Sequence, residues 1–570
     1  MRRLLTVVVA GGLVAGGGWL TAPGAQAAPG AQAAPGAQAA PGAQAGPGAQ
    51  AVQGAQALQG APPAPGAQTI RGAQAVTGRA NAQAAGILWG KCTDADLVKA
   101  KAQCAQLSVP LDYERPKGTT ISLALSRVRH TVPDGKYQGV MLVNPGGPGG
   151  SGLALATLGG LVPKGAGNAY DWIGFDPRGV GASKPALSCS GDVTAYNRPS
   201  YVPVTAALEK TWRQRSKDYA RKCAKAGGEL LDHVKSADNV RDMDSIRRAL
   251  GVQQINYYGF SYGTYLGQLY ASRYPRAVRR MILDGVIDAR TVWYRSNLDQ
   301  NVAFDRNANI YFDWIAKNDK TFGLGRDGRS MGQAYYGLLA KLRKSPAGGV
   351  IGPDEVNDVV LLATYNVSVW PVVAAAFAAL VRKGDSGPVK KLYDENYPQG
   401  AGSDNGYAMY LATLCTDARW PQDFDRWKRD AWRQHAKAPF VTWANTWYNA
   451  PCLSWAAQPG RPAEVDGRQA PPVLLISETL DAATSFEGAL ETRRRFPKAA
   501  LVEGAGGTTH ASSLSGVACV DNTVADYLER GALPARRPGN RSDRLCDPLQ
   551  PPAANQPAAT GPAPAADQKG

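Results

Sequence analysis

A serine set between small residues, Gly259-Phe-Ser261-Tyr-Gly263, has the spacing of a nucleophile elbow. In such a turn the chain passes from strand to helix so sharply that only small residues fit beside the serine. The preceding Ile255-Asn-Tyr-Tyr258 is β-branched and aromatic, as a strand should be, and a helix is expected to open after Ser261. Two other serines mimic the pattern. Ser330, in Gly328-Arg-Ser-Met-Gly332, sits in a Gly/Arg-rich stretch with no strand before it. Ser386, in Gly384-Asp-Ser-Gly-Pro388, follows the charged end of a helical run and has no matching histidine segment upstream. Both are expected on surface loops.

A serine hydroxyl is a weak nucleophile at neutral pH and needs a base, which in turn needs a carboxylate to orient it. When an elbow sits on an α/β sheet, the chain order is serine, acid, histidine. The chain has four histidines, and His130 and His233 precede Ser261. His435 lies in the charged stretch Arg429–His435, expected to be a solvated helix face. His510 follows the apolar run Ala500–Val502 through Gly504-Ala-Gly-Gly-Thr-Thr509. Loops beyond strand ends are where open sheets hold their functional residues, so His510 is the expected base. The loop after Pro472–Ile476 offers Glu478 and Asp481. Asp481, further along the turn, is the expected acid, and Glu478 is expected only to close the strand. Asp284 and Asp288, at an earlier strand end, are expected to support the elbow helix or a cap junction. A tetrahedral intermediate also needs two N–H groups aimed at its oxyanion. Tyr262, after the serine, supplies one, and Gly147 in Asn144-Pro-Gly-Gly-Pro-Gly-Gly-Ser-Gly152 is expected to supply the other. That turn is not a phosphate loop, because G-x-x-x-x-G-K-S/T and a correctly placed G-x-G-x-x-G are missing.

These residues must be carried by alternating strands and helices. Strands are expected at Thr120–Val128, Gly139–Asn144, Tyr170–Asp176, Gln254–Tyr258, Arg280–Asp284, Pro472–Ile476 and Ala500–Val502. Helices are expected at Asn239–Leu250, after Ser261, at Phe486–Phe496 and at Val517–Tyr527. Such alternation predicts a mostly parallel sheet with helices on both faces. From Thr291 to about Gln458 the pattern is helical and rich in Trp and Tyr, which predicts an inserted cap. The expected organisation is a signal peptide at 1–27, a low-complexity Ala/Pro/Gly/Gln repeat at 28–85 and a first core part at 86–290. A helical cap follows at 291–465, then a second core part at 466–548 and a disordered tail at 549–570.

Arg2-Arg3, the apolar run Leu4–Leu20 and the small-residue site Ala25-Gln-Ala27 read as an export signal. The repeat has almost no large apolar residues to bury, so it reads as a disordered spacer or pro-segment, with a wall-interacting role as the other option. No later stretch approaches a membrane span, and no cysteine precedes Cys92 to carry a lipid. The eight cysteines fall in neighbouring pairs, Cys92 with Cys104, Cys189 with Cys223, Cys415 with Cys452 and Cys519 with Cys546. In an exported chain these are expected to be disulfides. Zinc spacing is absent, so neither metal nor cofactor is expected. Net charge is +17, but the basic residues are scattered and no nucleic-acid recognition motif accompanies them.

Several motifs carry a resemblance. Pro145–Gly152, Phe175-Asp-Pro-Arg-Gly-Val-Gly-Ala-Ser183, Gly259–Gly267 and Leu283-Asp-Gly-Val286 resemble the proline iminopeptidase and tripeptidyl aminopeptidase group of α/β-hydrolases. The region from Cys519-Val-Asp through Tyr527–Pro534 to Cys546 is similar to the end of secreted bacterial tripeptidyl aminopeptidases. The resemblance spans roughly 87–548 and implies an α/β-hydrolase fold and a serine exopeptidase that releases short peptides, typically tripeptides, from free N-termini. It carries the nucleophile to Ser261, the acid to Asp481 and the base to His510. Asn144-Pro145 replaces a histidine common in the prolyl branch, which argues against single-proline release, and Ser485 replaces a proline, a minor departure. An aminopeptidase must also match the substrate ammonium with a carboxylate facing the cleft. Asp417, beside Cys415, is the candidate. The competing readings are a prolyl aminopeptidase or secreted carboxylesterase on the same fold, and a non-catalytic wall-binding protein, against which the complete catalytic set argues.

Overall fold

The computed structural model describes residues 86–555, so the expected signal peptide, the repeat and most of the tail lie outside the described residues. Ten strands form one sheet: β1 (Gly90–Lys91), β2 (Gln103–Pro110), β3 (Thr120–Val128), β4 (Val140–Asn144), β5 (Asp171–Phe175), β6 (Ile255–Phe260), β7 (Val278–Asp284), β8 (Val473–Glu478), β9 (Ala499–Gly504) and β10 (Arg544–Cys546). Their spatial order is β1-β2-β3-β5-β4-β6-β7-β8-β9-β10. The strands from β5 to β10 run parallel, while β1, β2 and β3 add antiparallel pairs at one edge.

Parallel strands covered on both faces must be apolar on both, and the core divides by residue parity. Leu142, Tyr257, Leu283 and Leu475 belong to one cluster with residues of the helices Ser236–Ala249 and Tyr262–Arg273. Their neighbours Met141, Tyr258, Ile282 and Leu474 belong to another, with residues of the helix Ala518–Arg530. This period-two division is what a pleated strand imposes on continuous apolar runs.

Between β7 and β8 the chain is helical, from Tyr294–Lys317 through the 3-10 turn Ala450–Ser454. Its first part buries its own core, including Phe312, Tyr335, Trp370 and Phe377. Its last part does not stand apart: Leu411, Leu414, Trp443 and Trp447 join the same cluster as one face of the sheet. Ser330 is not on a loop. It lies in the first turn of the helix Gly328–Lys344, which Asp327 caps by accepting from the Arg329 and Ser330 amides. An Asp directly before the first helical residue is a strong cap, and it outweighs the glycines there. Four disulfides join Cys92 to Cys104, Cys189 to Cys223, Cys415 to Cys452 and Cys519 to Cys546, the expected sequential pairs.

Strand order positions the site. The chain leaves β4 for β5 on one side of it, and β6 lies on the other, so the crevice of an open sheet falls beyond the carboxyl ends of β4 and β6. Register then brings the strand ends together: Asn144 faces Gly259, Phe260 faces Asp284, Asp284 faces Ile476 and Glu478 faces Gly504.

Candidate active site

Ser261 follows β6 and caps the helix Tyr262–Arg273 with φ 53° and ψ −126°. A non-glycine residue at positive φ is strained, and such strain persists only where its surroundings over-determine it. Here the Ser261 amide donates to the Asp284 carbonyl at 3.0 Å, and the flanking backbone leaves no room for side chains. A Cβ on Gly259 would lie 2.6 Å from the Gly263 carbonyl oxygen, and one on Gly263 would lie 2.7 Å from that of Asn144. The serine itself stays partly exposed.

The glycine turn after β4 closes on this elbow. Asn144, 1% exposed, accepts the Gly146 amide through Oδ1 at 2.9 Å. A Cβ on Gly146 would stand 2.5 Å from the Phe260 carbonyl oxygen and 2.9 Å from both Ser261 Cβ and the Tyr262 nitrogen. The far end of the turn is pinned by Asp176, which accepts from the Ser151 hydroxyl and, at 3.0 Å, the Gly152 amide. Burial pushes the Asp176 carboxyl up to about 6 despite those donors. Gly147, Ser261 and Tyr262 all line one cleft, with an empty volume of about 1430 Å³ counted out to its open mouth.

His510 and Asp481 meet. Asp481 Oδ2 lies 2.8 Å from His510 Nδ1, with the two residues 2% and 3% exposed. Asp481 is held by the Ala483 and Thr484 amides at 2.8 and 3.0 Å and by the Thr484 hydroxyl at 2.7 Å. The His510 amide donates to the Tyr365 carbonyl at 2.8 Å, and the Tyr365 ring stands edge-on to the imidazole. Burial alone would pull the imidazole down, but the charge and hydrogen bond of Asp481, with help from Asp284, raise it above its ordinary value. Gly285 links this pair to the elbow. It follows Asp284, whose carbonyl holds Ser261, and a Cβ there would lie 2.9 Å from His510 Cε1. A larger residue at 285 would push the imidazole off its seat.

The remaining carboxylates have other work. Glu478 ends β8 as expected, and also accepts the Thr509 amide beside His510 and, at 2.9 Å, that of Leu549. Burial raises its carboxyl to about 8. Asp284 accepts from Ser513 through both amide and hydroxyl, while its Oδ1 has no partner among the described residues. Asp288 pairs with Arg290. His435 ends the helix Phe424–His435 and packs edge-on against Trp432. Asp417 does not line the cleft. Its Oδ1 accepts the Ser236 amide, and its Oδ2 accepts the Ser236 hydroxyl and Trp293 Nε1. The Ser236 hydroxyl also bonds the Tyr262 hydroxyl at 2.7 Å. A carboxylate with every near donor already on it anchors the residue after the elbow, and it has no free face for a substrate amine. Sequence spacing placed Asp417 near a disulfide but says nothing of which way a helix residue points.

Residues that the sequence did not single out are Gly146, Gly285, Thr484 and Tyr365. For the first two the only available signal was a glycine next to a motif residue.

The alpha/beta hydrolase fold family matches residues 139–516. The chain is 39% identical over 472 residues to a tripeptidyl aminopeptidase of Streptomyces coelicolor, covering 80% of this chain and 86% of that protein. It is 30% identical over 471 residues to serine protease Hip1 of Mycobacterium tuberculosis, covering 78% and 89%. Carboxylesterase B of the same organism is 32% identical over 474 residues, covering 78% and 88%. The chain belongs to the tripeptidyl aminopeptidase group of the α/β-hydrolase family and is a serine aminopeptidase.

Proposed function

We propose that this enzyme is secreted and removes tripeptides from free peptide N-termini, with Ser261 as nucleophile, His510 as base and Asp481 as the acid that orients it. The supporting observation is the buried Asp481–His510 pair, 2.8 Å apart, seated by Gly285 beside the strained elbow. With Asp481 on Nδ1, the imidazole carries its proton there and leaves Nε2 free to accept one. Nε2 takes the Ser261 hydroxyl proton as Oγ adds to the scissile carbonyl. The resulting imidazolium is stabilised by Asp481 and returns that proton to the leaving amine as the C–N bond breaks. Water, activated by the same Nε2, then hydrolyses the acyl-enzyme and frees Ser261. The amides of Gly147 and Tyr262 receive the oxyanion, and losing one such donor typically costs about 2.7–4 kcal/mol of transition-state stabilisation.

The four disulfides favour an oxidising compartment, and among the described residues no helix is long and apolar enough to cross a membrane. Export through 1–27, a spacer or pro-segment at 28–85, core parts at 86–290 and 466–548 around a cap at 291–465, and a tail at 549–570 complete the proposal. A carboxylesterase is the second reading, favoured by the likeness to carboxylesterase B. Free and N-acetylated tripeptide anilides, assayed beside a simple ester with wild type and Ser261→Ala, separate the two. The proposal expects free tripeptide anilides to be far better substrates and all activity to vanish in Ser261→Ala. Equal cleavage of free and blocked peptides rejects the aminopeptidase, and activity surviving in the variant rejects the triad.

A further inference from the structure

An enzyme that counts residues from a free N-terminus must hold the substrate ammonium at a fixed distance from its nucleophile, and burying that charge without a carboxylate is costly. Two carboxylates line the cleft, Asp358 and Asp404. Asp404 is already saturated by the Ser188 hydroxyl, the Cys189 and Ser190 amides and the Tyr219 hydroxyl. Asp358 is not.

Asp358 lies on the helix Pro353–Tyr365, with Asp354 one turn before it and Glu355 alongside. Among the described residues a single cation pairs with this group. Arg198 Nη2 lies 2.7 Å from Asp358 Oδ2 and 3.5 Å from Glu355 Oε1. Asp358 and Glu355 thus share one guanidinium, with Asp354 on the same helix, and Asp354, Glu355 and Asp358 are buried at 3%, 1% and 4% exposure. The set is also incompletely hydrogen-bonded, and among the described residues Arg198 Nε meets no acceptor. Asp354 Oδ1 accepts the Tyr201 amide at 3.1 Å, but among the described residues Asp354 Oδ2 and Glu355 Oε1 accept no hydrogen bond. Buried acceptors left without donors are rare in native structures and call for an explanation. Burial raises all three carboxyls, and neighbouring carboxylates add to the rise at Asp354 and Glu355 while Arg198 opposes it.

The same helix measures distance. Asp358, Leu361 and Tyr365 all line the cleft, one face of the helix at i, i+3 and i+7. At its last residue the Tyr365 carbonyl holds the His510 amide. Seven residues at about 1.5 Å rise put Asp358 roughly 10.5 Å along the axis from that anchor. Three extended residues span about 10–11 Å.

We infer that Asp358, backed by Asp354 and Glu355, binds the α-ammonium of the substrate, and that the two helical turns between Asp358 and the His510 anchor set the cut after the third residue. This subsite rests on the aminopeptidase reading above. Its test is the ratio of kcat/KM for a free tripeptide anilide to that for its N-acetyl form, measured within each protein so that a reduced folded fraction cancels. Asp358→Asn lowers this ratio about 10- to 100-fold, mostly through KM, as loss of a charge-assisted bond requires. It also flattens the preference for tripeptidyl over dipeptidyl and tetrapeptidyl anilides. Asp354→Asn lowers the ratio in the same direction and strands no donor on the oxygen it replaces, so it carries the test if Asp358→Asn does not fold. Wild-type ratios in both variants overturn the subsite, and an undiminished tripeptide preference in Asp358→Asn overturns the ruler. A ratio near one already in wild type rejects the aminopeptidase reading itself.

Discussion

Gly146→Ala should separate the oxyanion geometry from the rest of the enzyme. Gly146 has φ +97°, where alanine is strained by about 1–3 kcal/mol. Strain is the smaller part. The added Cβ would stand 2.5 Å from the Phe260 carbonyl oxygen, 2.9 Å from Ser261 Cβ and 2.9 Å from the Tyr262 nitrogen, all inside the 3.0 Å that real Cβ contacts respect. Two of those three atoms are backbone of the elbow and cannot rotate away, so the turn itself must retreat. Gly147 moves with it, and its amide leaves the position the oxyanion would occupy. Losing one such donor costs about 10²–10³ in kcat. Stopped assays of a tripeptide anilide and a simple ester should therefore show kcat falling by that factor for both, with KM little changed. Thermal unfolding should show a folded protein destabilised by more than the strain cost of about 1–3 kcal/mol. Gly160→Ala is the control, because a Cβ there meets nothing within 4 Å. A folded Gly146→Ala enzyme with kcat within about threefold of wild type would refute the placement of Gly147 as a donor.

Three further outcomes follow from the same geometry. Asp481→Asn removes the charge that raises the His510 imidazole, so the acid limb of the kcat/KM profile shifts to lower pH; kcat falls by about 10⁴, the size of effect seen when a triad acid is neutralised. A pH–rate profile whose acid limb stays in place would contradict this. Asp417→Asn sets an amide donor against the donors of Ser236 or Trp293 and should cost about 1–3 kcal/mol in denaturant unfolding. The preference for free over acetylated tripeptides should survive it, whereas its loss would return the amine site to Asp417. Glu478 has a folded value near 8, above its unfolded value of 4.5, so between these the native state holds a proton that the unfolded chain has released. Stability therefore falls with rising pH across that window, by up to about 1.4 kcal/mol per unit, and Glu478→Gln should flatten the slope in thermal melts at several pH values.

Much of this site is legible from the chain alone, for reasons particular residues show. Ser261 stands out because a strained turn needs glycines on both sides, and strand context separates it from Ser330. His510 follows from chain order, since a sheet that adds its last strands on one side of the elbow leaves little else in reach. The central strands read clearly because both of their faces are buried. Short edge strands do not: β10 lies in a Pro-, Arg- and Gly-rich stretch and is visible only through its pairing with β9. The cap hid the most. Asp417 and Asp358 are both aspartates on apolar helices, and the structure gives them opposite positions, one filled beneath the elbow and one facing the cleft. A partial signal existed for Asp358, because carboxylates at 354, 355 and 358 cluster in a helix whose remaining residues are mostly apolar. Their partner Arg198 comes from a distant loop, and nothing local announces it. Gly146 and Gly285 act through the side chains they lack, and that becomes visible only once the surrounding backbone is in place.

The central claim is that Ser261 drives release of three residues at a time from a free N-terminus. Mass spectrometry of an unblocked peptide about ten residues long, sampled over time with wild type and Ser261→Ala, tests it most directly. The account predicts a ladder of products shortened by three residues, released tripeptides of matching mass, no cleavage of the N-acetylated peptide and no products from Ser261→Ala. Loss of single residues, internal cuts, or a ladder that persists in Ser261→Ala would contradict it.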